Sequence, residues 1–408
     1  MTLVAAPAPV PAREAKPRGS VFPGRLVSLD AYRGFVMFLM ASGGLAIAQT
    51  AERYFPHSHL WNAMKFQVDH VEWGGCALWD LIQPSFTFIV GVALPFSIAR
   101  RRAEGQTVGR LVWHAIYRSI ILIALGIFLR SIGKPRTYYT FEDTLTQIGL
   151  GYTFCFLLAW TKPRIQLLAL VVILIGYWLG FALYPLPTAA DYQAAQVAHP
   201  FYSGFAAHWD KNTNLAAHFD RWFLNLFPRQ RPFNVNGGGY LTLSFIPTLG
   251  TMICGLLAGH LLRSRRPPDK KFWTLVAVGF LGLILGEIFD RTGVCPVVKR
   301  IWTPSWVLYS AGWSCLLLAA FYALIDWAGY RAWAFPLVVI GMNSIAMYCM
   351  ADGGFASYVR DALRTHLGPY RVFDCFGNFR LIAESAATLL ILWLVLLWMY
   401  RKRIFLRI

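Results

Sequence analysis

Ten apolar stretches of roughly 20 residues recur along this chain, and they limit what it can fold into more than any other feature. They fall at approximately 29–49, 76–99, 111–132, 143–161, 165–184, 240–262, 272–289, 305–326, 333–352 and 380–400. The hydrocarbon core of a bilayer takes about 20 apolar residues per helical crossing. Inside lipid every backbone N–H and C=O must be paired within its own segment, so each stretch reads as a helix. The fold class expected is all-α: a polytopic integral membrane helix bundle with about ten transmembrane helices. Composition agrees, with 57% hydrophobic and 14% charged residues, against about 25% charged in an average soluble domain. Sixteen Trp and 18 Tyr suit a chain with many water–lipid boundaries.

The formal charge of +18 would point to nucleic acid in a soluble protein. Here the basic residues gather at the ends of apolar spans, where they set orientation and meet anionic lipid. No nucleic-acid module is evident, and no nucleic-acid partner is expected. With the N-terminus in the cytoplasm, the short cytoplasmic loops hold Arg100, Arg101, Arg102 and Arg110, Lys162 and Arg164, and Arg263 to Lys271, with Arg401 to Arg403 at the end. Dense Lys/Arg in short loops predicts an N-in, C-in arrangement. Residues 1–24, rich in Ala and Pro, read as a disordered cytoplasmic tail, and 25–408 as one transmembrane domain. The stretch 350–370 is too polar for a further span. The large outer loops are then 50–75, 185–239 and 353–379. The loop 185–239, with its Trp, Phe, His and Asn, is expected to fold as a cap over the outer mouth.

Seven Cys are scattered without a C-x-x-C pair or Cys/His metal spacing, so no metal is expected. Cys76, Cys295 and Cys375 lie in or near outer loops, where one disulfide among them is an open alternative.

Chemistry-bearing residues form four groups. The first is Asp69 to Pro84. Gly74 and Gly75 permit a sharp turn, which would fold His70 back over Asp80, one turn inside the second span. A carboxylate beside an imidazole fixes its tautomer and raises its basicity, as a general base or transient acyl acceptor needs. On spacing alone His70 reads rather as an exposed loop histidine. A carboxylate within a span is costly and marks a site or an ion path. Gln83 follows on the same helical face, and Trp73 lies between His70 and the span. The second group, Asp30 and Arg33, stands at the cytoplasmic end of the first span. It is a boundary ion pair or a hold for an anionic donor. Third, Asn343 and Ser344 bring an amide and a hydroxyl into the ninth span, as interhelical glue or as ligands. Fourth, the outer loop carries His208, Asp210, Asn212, His218, Asp220 and Arg221 among aromatics. This suits a sugar, or a cap held by local pairs. Its spacing matches no metal pattern.

The stretch His70-x-x-Trp73-x-Gly75, then Asp80-Leu81, Pro84 and Phe86-x-Phe88-Ile89-Val90-Gly91, resembles the heparan-alpha-glucosaminide N-acetyltransferase family. Leu26 to Gly34, Asp220-Arg221, Pro247 to Gly259, Gly341 to Ile345 and Tyr400 to Phe405 resemble further blocks of it, from about residue 25 to the end. The resemblance implies transfer of acetyl from cytoplasmic acetyl-CoA to an amino sugar on the far side, with the family's active-site histidine falling on His70. The chain departs from the family's lysosomal member at Ser42-Gly43-Gly44, where that member has an Asn, and at Gln147-Ile148, where it has Gln-Arg.

The combined expectation is a transmembrane acyltransferase of a bacterial inner membrane. His70 and Asp80 would be catalytic. Asp30, Arg33, Asn343 and Ser344 would hold acetyl-CoA, and Trp73, Gln83, Asp220 and Arg221 the acceptor. Its partners would be the bilayer and a small-molecule or glycan acceptor, and a homodimer is compatible with this. The alternative is a transporter for a small polar or sugar-like solute, in which Asp80, Asn343 and the cap bind and gate.

Overall fold

The computed structural model describes residues 26–406; the 1–24 tail lies outside them. The helices that matter here are α1 (Val27–Ser42), α2 (Ile47–Tyr54), α3 (His59–Gln67), α4 (Ile82–Ala103), α5 (Val108–Ser131), α6 (Thr144–Leu158), α7 (Pro163–Ala182), α8 (Ala189–Ala194) and α9 (Leu215–Phe223). They continue with α10 (Phe245–Arg263), α11 (Pro268–Arg291), α12 (Pro304–Phe321), α13 (Phe335–Met342), α14 (Ser344–Asp352), α15 (Phe355–Leu367) and α16 (Arg380–Arg401). The described residues hold no named strand. One isolated antiparallel bridge joins Gly74 and Val298.

Eight helical segments among the described residues are long and apolar enough to cross a membrane, or nine if a bent pair counts as one. The bent pair is α13 and α14, which meet at 68° across Asn343. The remaining expected span is α6, whose 15 residues fall short of the roughly 20 that a full crossing takes. Three of the ten expected spans thus depart from straight crossings, since the first is also interrupted between α1 and α2, where Gly43, Gly44, Leu45 and Ala46 all take positive φ. The causes are local. Asn343 leaves the helical region at φ −128°, ψ 41°, and α6, capped at its start by Asp143 through the Leu145 and Thr146 amides, already ends at Leu158.

α4, α10 and α12 form the densest part of the bundle with α1. Lipid tails are as apolar as Leu, so these helices gain by close packing rather than by hydrophobic burial. Gly91 of α4 lies against the Met252 carbonyl of α10, and Gly255 against the Phe88 carbonyl; a Cβ at either would sit 2.0 Å from that oxygen. α5, α7 and α11 line the outside, turning Phe128, Leu168, Val172, Phe280 and Ile284 outward. Pro84 stands in the first turn of α4, where its missing N–H has no intrahelical partner to lose.

The segment 185–239 is folded. Trp209, Ala216 and Ala217 from it bury against Tyr177, Phe181, Trp73, Leu241, Val298 and Ile301. Asp210 anchors it by accepting from the Tyr192 hydroxyl at 2.5 Å and the Tyr202 amide at 3.0 Å. α4 and α12 both start beneath this segment, so the connections that lead into them, 69–81 and 292–303, run side by side.

If the charge pattern sets orientation, positions 72 and 104 lie on opposite sides of the membrane. Cysteines placed there, in a background lacking the exposed Cys375, are expected to react with an impermeant thiol reagent from opposite faces of sealed vesicles. Labelling of both positions from the same face would contradict the N-in, C-in arrangement.

Candidate active site

The site begins with a turn. Gly75 adopts φ +102°, a conformation that residues with a Cβ rarely take, and its amide donates to the Val297 carbonyl at 2.9 Å. Gly74 pairs with Val298, and a Cβ there would meet the Tyr202 hydroxyl at 2.2 Å. The turn sends the chain back, so His70 Nδ1 lies 2.7 Å from Asp80 Oδ1. Asp80 is buried, 1% exposed, whereas His70 keeps 37% of its side chain accessible.

Asp80 is saturated with donors. Oδ2 accepts from the Val71 amide at 3.2 Å and the Ala77 amide at 3.1 Å. Oδ1 takes His70 Nδ1 and, at 3.2 Å, the ammonium of Lys299. A carboxylate can accept about four hydrogen bonds and donates none when ionised. Nδ1 is therefore the protonated nitrogen of the imidazole, and Nε2 carries the lone pair. No protein atom among the described residues bonds to Nε2. Lys299 Nζ also stands 3.2 Å from His70 Nδ1, but both atoms are donors, so the contact is shared attraction to Oδ1.

Lys299 is 5% exposed. Burial pushes its ammonium below the usual lysine range, and the Asp80 charge acts in the opposite direction. The sequence reading missed this residue. Its signal was a lysine inside Pro296-Val297-Val298-Lys299-Arg300-Ile301-Trp302, an apolar run that a solvated loop would not carry. Arg300 ties the three segments together. It donates to the Val71 carbonyl at 3.1 Å and the Gly238 carbonyl at 2.7 Å, with its guanidinium 5.1 Å from the Tyr240 ring centre.

The other candidate residues divide. Gln83 sits half-buried as the second residue of α4. Trp73 is 1% exposed, donates to the Trp209 carbonyl and stacks on Phe201, so its ring is part of the cap's core. Asp220 accepts from the Thr242 amide at 2.9 Å, joining α9 to the segment before α10, and neither it nor Arg221 bonds to the His70 group. Burial pushes Asp220 up to about 6, above the roughly 3.9 of an unfolded Asp. The folded state then binds this proton more tightly, and stability falls as pH rises from about 4 to about 6. Asp220→Asn is expected to flatten that part of a thermal-stability profile in detergent, and an unchanged slope would contradict it.

At the other end of the bundle, Arg33 and Asp30 lie 3.7 Å apart. A Cβ on Gly341 would sit 1.9 Å from the Asp30 carbonyl, so the α13–α14 break and the start of α1 are neighbours. The Asn343 amide donates to the Ile404 carbonyl at 2.9 Å and accepts from the Leu406 amide at 3.0 Å. The α13–α14 break thus packs against the start of α1, which carries Asp30 and Arg33, while Asn343 holds the C-terminal segment and Ser344 is half-buried. All seven cysteines are unbridged: Cys295 is buried against Ser305 and Cys375 is exposed. Among the described residues no group of three or more His, Cys, Asp or Glu converges as a metal site would.

The structure defines a polytopic membrane helix bundle with an imidazole–carboxylate–ammonium group beside a folded cap. No protein-family model matches the chain. It is 22% identical over 376 residues to heparan-alpha-glucosaminide N-acetyltransferase of Homo sapiens, covering 81% of this chain and 53% of that protein. It is also 22% identical over 373 residues to the Mus musculus protein of the same name, covering 79% and 53%. The chain is a distant relative of these proteins, and it spans about half the length of the curated relatives it matches.

Proposed function

We propose that this chain is a membrane acyltransferase that moves acetyl from acetyl-CoA to the amino group or hydroxyl of a sugar or glycan. The observation that carries the reading is His70: half-exposed, oriented by a buried carboxylate, and with Nε2 left for a substrate. The names of the two relatives support an acetyl donor and an amino-sugar acceptor.

In the direct route the acceptor nitrogen attacks the thioester carbonyl, forming the C–N bond. His70 Nε2 takes the proton lost from that nitrogen. The C–S bond breaks, and CoA leaves as a thiolate that regains a proton from the imidazolium. Asp80 holds Nδ1–H and stabilises the cation that forms. In the two-step route Nε2 attacks the thioester carbonyl, the C–S bond breaks and CoA leaves as its thiolate, giving an acetyl-imidazolium whose charge Asp80 offsets. The acceptor nitrogen then attacks that carbonyl and the Nε2–C bond breaks. The freed imidazole takes the proton lost by the nitrogen, and the thiolate regains it. Donor access from the cytoplasmic end, acceptor access beside the cap, and a bacterial inner membrane complete the proposal.

The bent α13–α14 pair favours a second reading, because discontinuous helices bind solutes in transporters. The two readings separate in one assay. Purified protein in detergent is given acetyl-CoA with a panel of amino sugars, and free CoA is measured. The acyltransferase reading predicts acceptor-dependent CoA release. Absence of both release and acetyl-CoA binding, with solute flux in vesicles, would replace it with transport.

A further inference from the structure

Arg118 lies ten residues into α5, about 15 Å from the start of the helix at 1.5 Å per residue. An ionised side chain that deep in a membrane span is costly and usually marks a ligand or a path. It donates to the Tyr152 hydroxyl at 3.2 Å, with its guanidinium 4.6 Å from the Tyr152 ring centre, and its Nε is buried without a partner. One turn nearer the α5 start, His114 Nε2 accepts from Arg101 of α4 at 3.0 Å. Arg101 and Arg118 are half-buried and close enough to repel each other, with Arg100 adding to that field. Glu104, the carboxylate nearby, pairs with Arg100 at 3.7 Å. No salt bridge among the described residues reaches Arg101 or Arg118. Glu104 also attracts Arg101 from a distance, but two guanidiniums and an imidazole climb from the α4–α5 turn into the bundle without a salt-bridged anion among the described residues.

We infer that Arg101, His114 and Arg118 form a ladder that binds phosphate groups. Guanidinium is the side chain best matched to phosphate oxygens, and stacking on Tyr152 fixes one of the two in place. The chemistry is a phosphate ester reaching inward from the α4–α5 end. It has two sources: the nucleotide phosphates of acetyl-CoA, which rests on the acyltransferase reading above, or the headgroup of an anionic phospholipid. The sequence reading gave the donor to Arg33 and Asp30; this ladder is a separate cationic group on different helices.

The test uses the full chain purified in detergent, as wild type, Arg101→Gln and Arg118→Gln. Acetyl-CoA binding is measured by calorimetry. Retention of phosphatidylglycerol against phosphatidylcholine is measured by native mass spectrometry. Lys270→Gln, which removes a charge from a different basic loop, is the control. The expected result is a loss of acetyl-CoA affinity of about tenfold or more in both variants, with the control unchanged. Normal acetyl-CoA binding with loss of phosphatidylglycerol would keep the ladder and assign it to lipid. If wild type binds no acetyl-CoA, the acyltransferase reading fails, and the ladder is decided by the phosphatidylglycerol arm. Arg101→Gln alters the half-exposed rung, so it remains informative if Arg118→Gln does not fold. A folded Arg101→Gln that matches wild type with both ligands overturns the inference.

Discussion

A His70→Ala protein is expected to bind acetyl-CoA as the wild type does and to lose acetyl transfer. His70 sits at the 69–81 connection, at the far end of α4 from Arg101, so its removal leaves the proposed phosphate contacts in place. Losing a general base commonly costs about 10²–10⁴ in rate. Losing a covalent carrier costs more, because no second route remains. Acceptor-dependent CoA release at saturating acetyl-CoA reads the effect. His70→Gln separates the roles further: it can accept the Lys299 or acceptor N–H but cannot carry a proton, and it is expected to be as inactive as His70→Ala. Near-normal turnover in either variant would remove His70 from the chemistry.

The second large effect is on stability. Asp80→Asn keeps the size of the side chain but not its charge. The amide oxygen can serve the Val71 and Ala77 amides, which turns the NH2 group toward His70 Nδ1 and Lys299 Nζ. Donor then faces donor, and Lys299 becomes a buried cation without an anion. Removing one partner of a buried ion pair costs about 3–5 kcal/mol. The expected result is a large fall in unfolding temperature in detergent for Asp80→Asn. Asp80→Asn combined with Lys299→Met removes both charges and is expected to recover most of that loss while staying inactive. Recovery of stability without recovery of activity would show that Asp80 serves His70 as well as the fold. An Asp80→Asn protein as stable as the wild type would contradict the buried pair.

The helices were legible because lipid imposes one solution on a long apolar stretch, and each expected span corresponds to a helix or helix pair. Three were misjudged in form. Hydropathy averages over a window, so it is blind to the backbone breaks at Gly43–Ala46 and at Asn343 and to the end of α6 at Leu158. The His70–Asp80 contact was legible because it is local: ten residues apart, with a glycine pair between that can reverse the chain. Lys299 was not, since it reaches Asp80 across 219 residues and only the adjacency of the connections into α4 and α12 brings it there. Trp73 shows the opposite case. Its place in the motif gave it a substrate role, but burial against Trp209 and Phe201 is a tertiary fact that no local pattern carries. Arg118 was hidden by its surroundings, because one charge hardly lowers the mean hydropathy of a 24-residue span.

The most direct test is a cryo-electron microscopy structure of the wild-type protein with a non-cleavable acetyl-CoA analogue in which a methylene replaces the thioester sulfur. The account predicts the acetyl carbonyl beside His70 Nε2, with the rest of the analogue running into the bundle toward the opposite end. Density that places the acetyl group at that opposite end, or an analogue that makes no contact with His70, would contradict it.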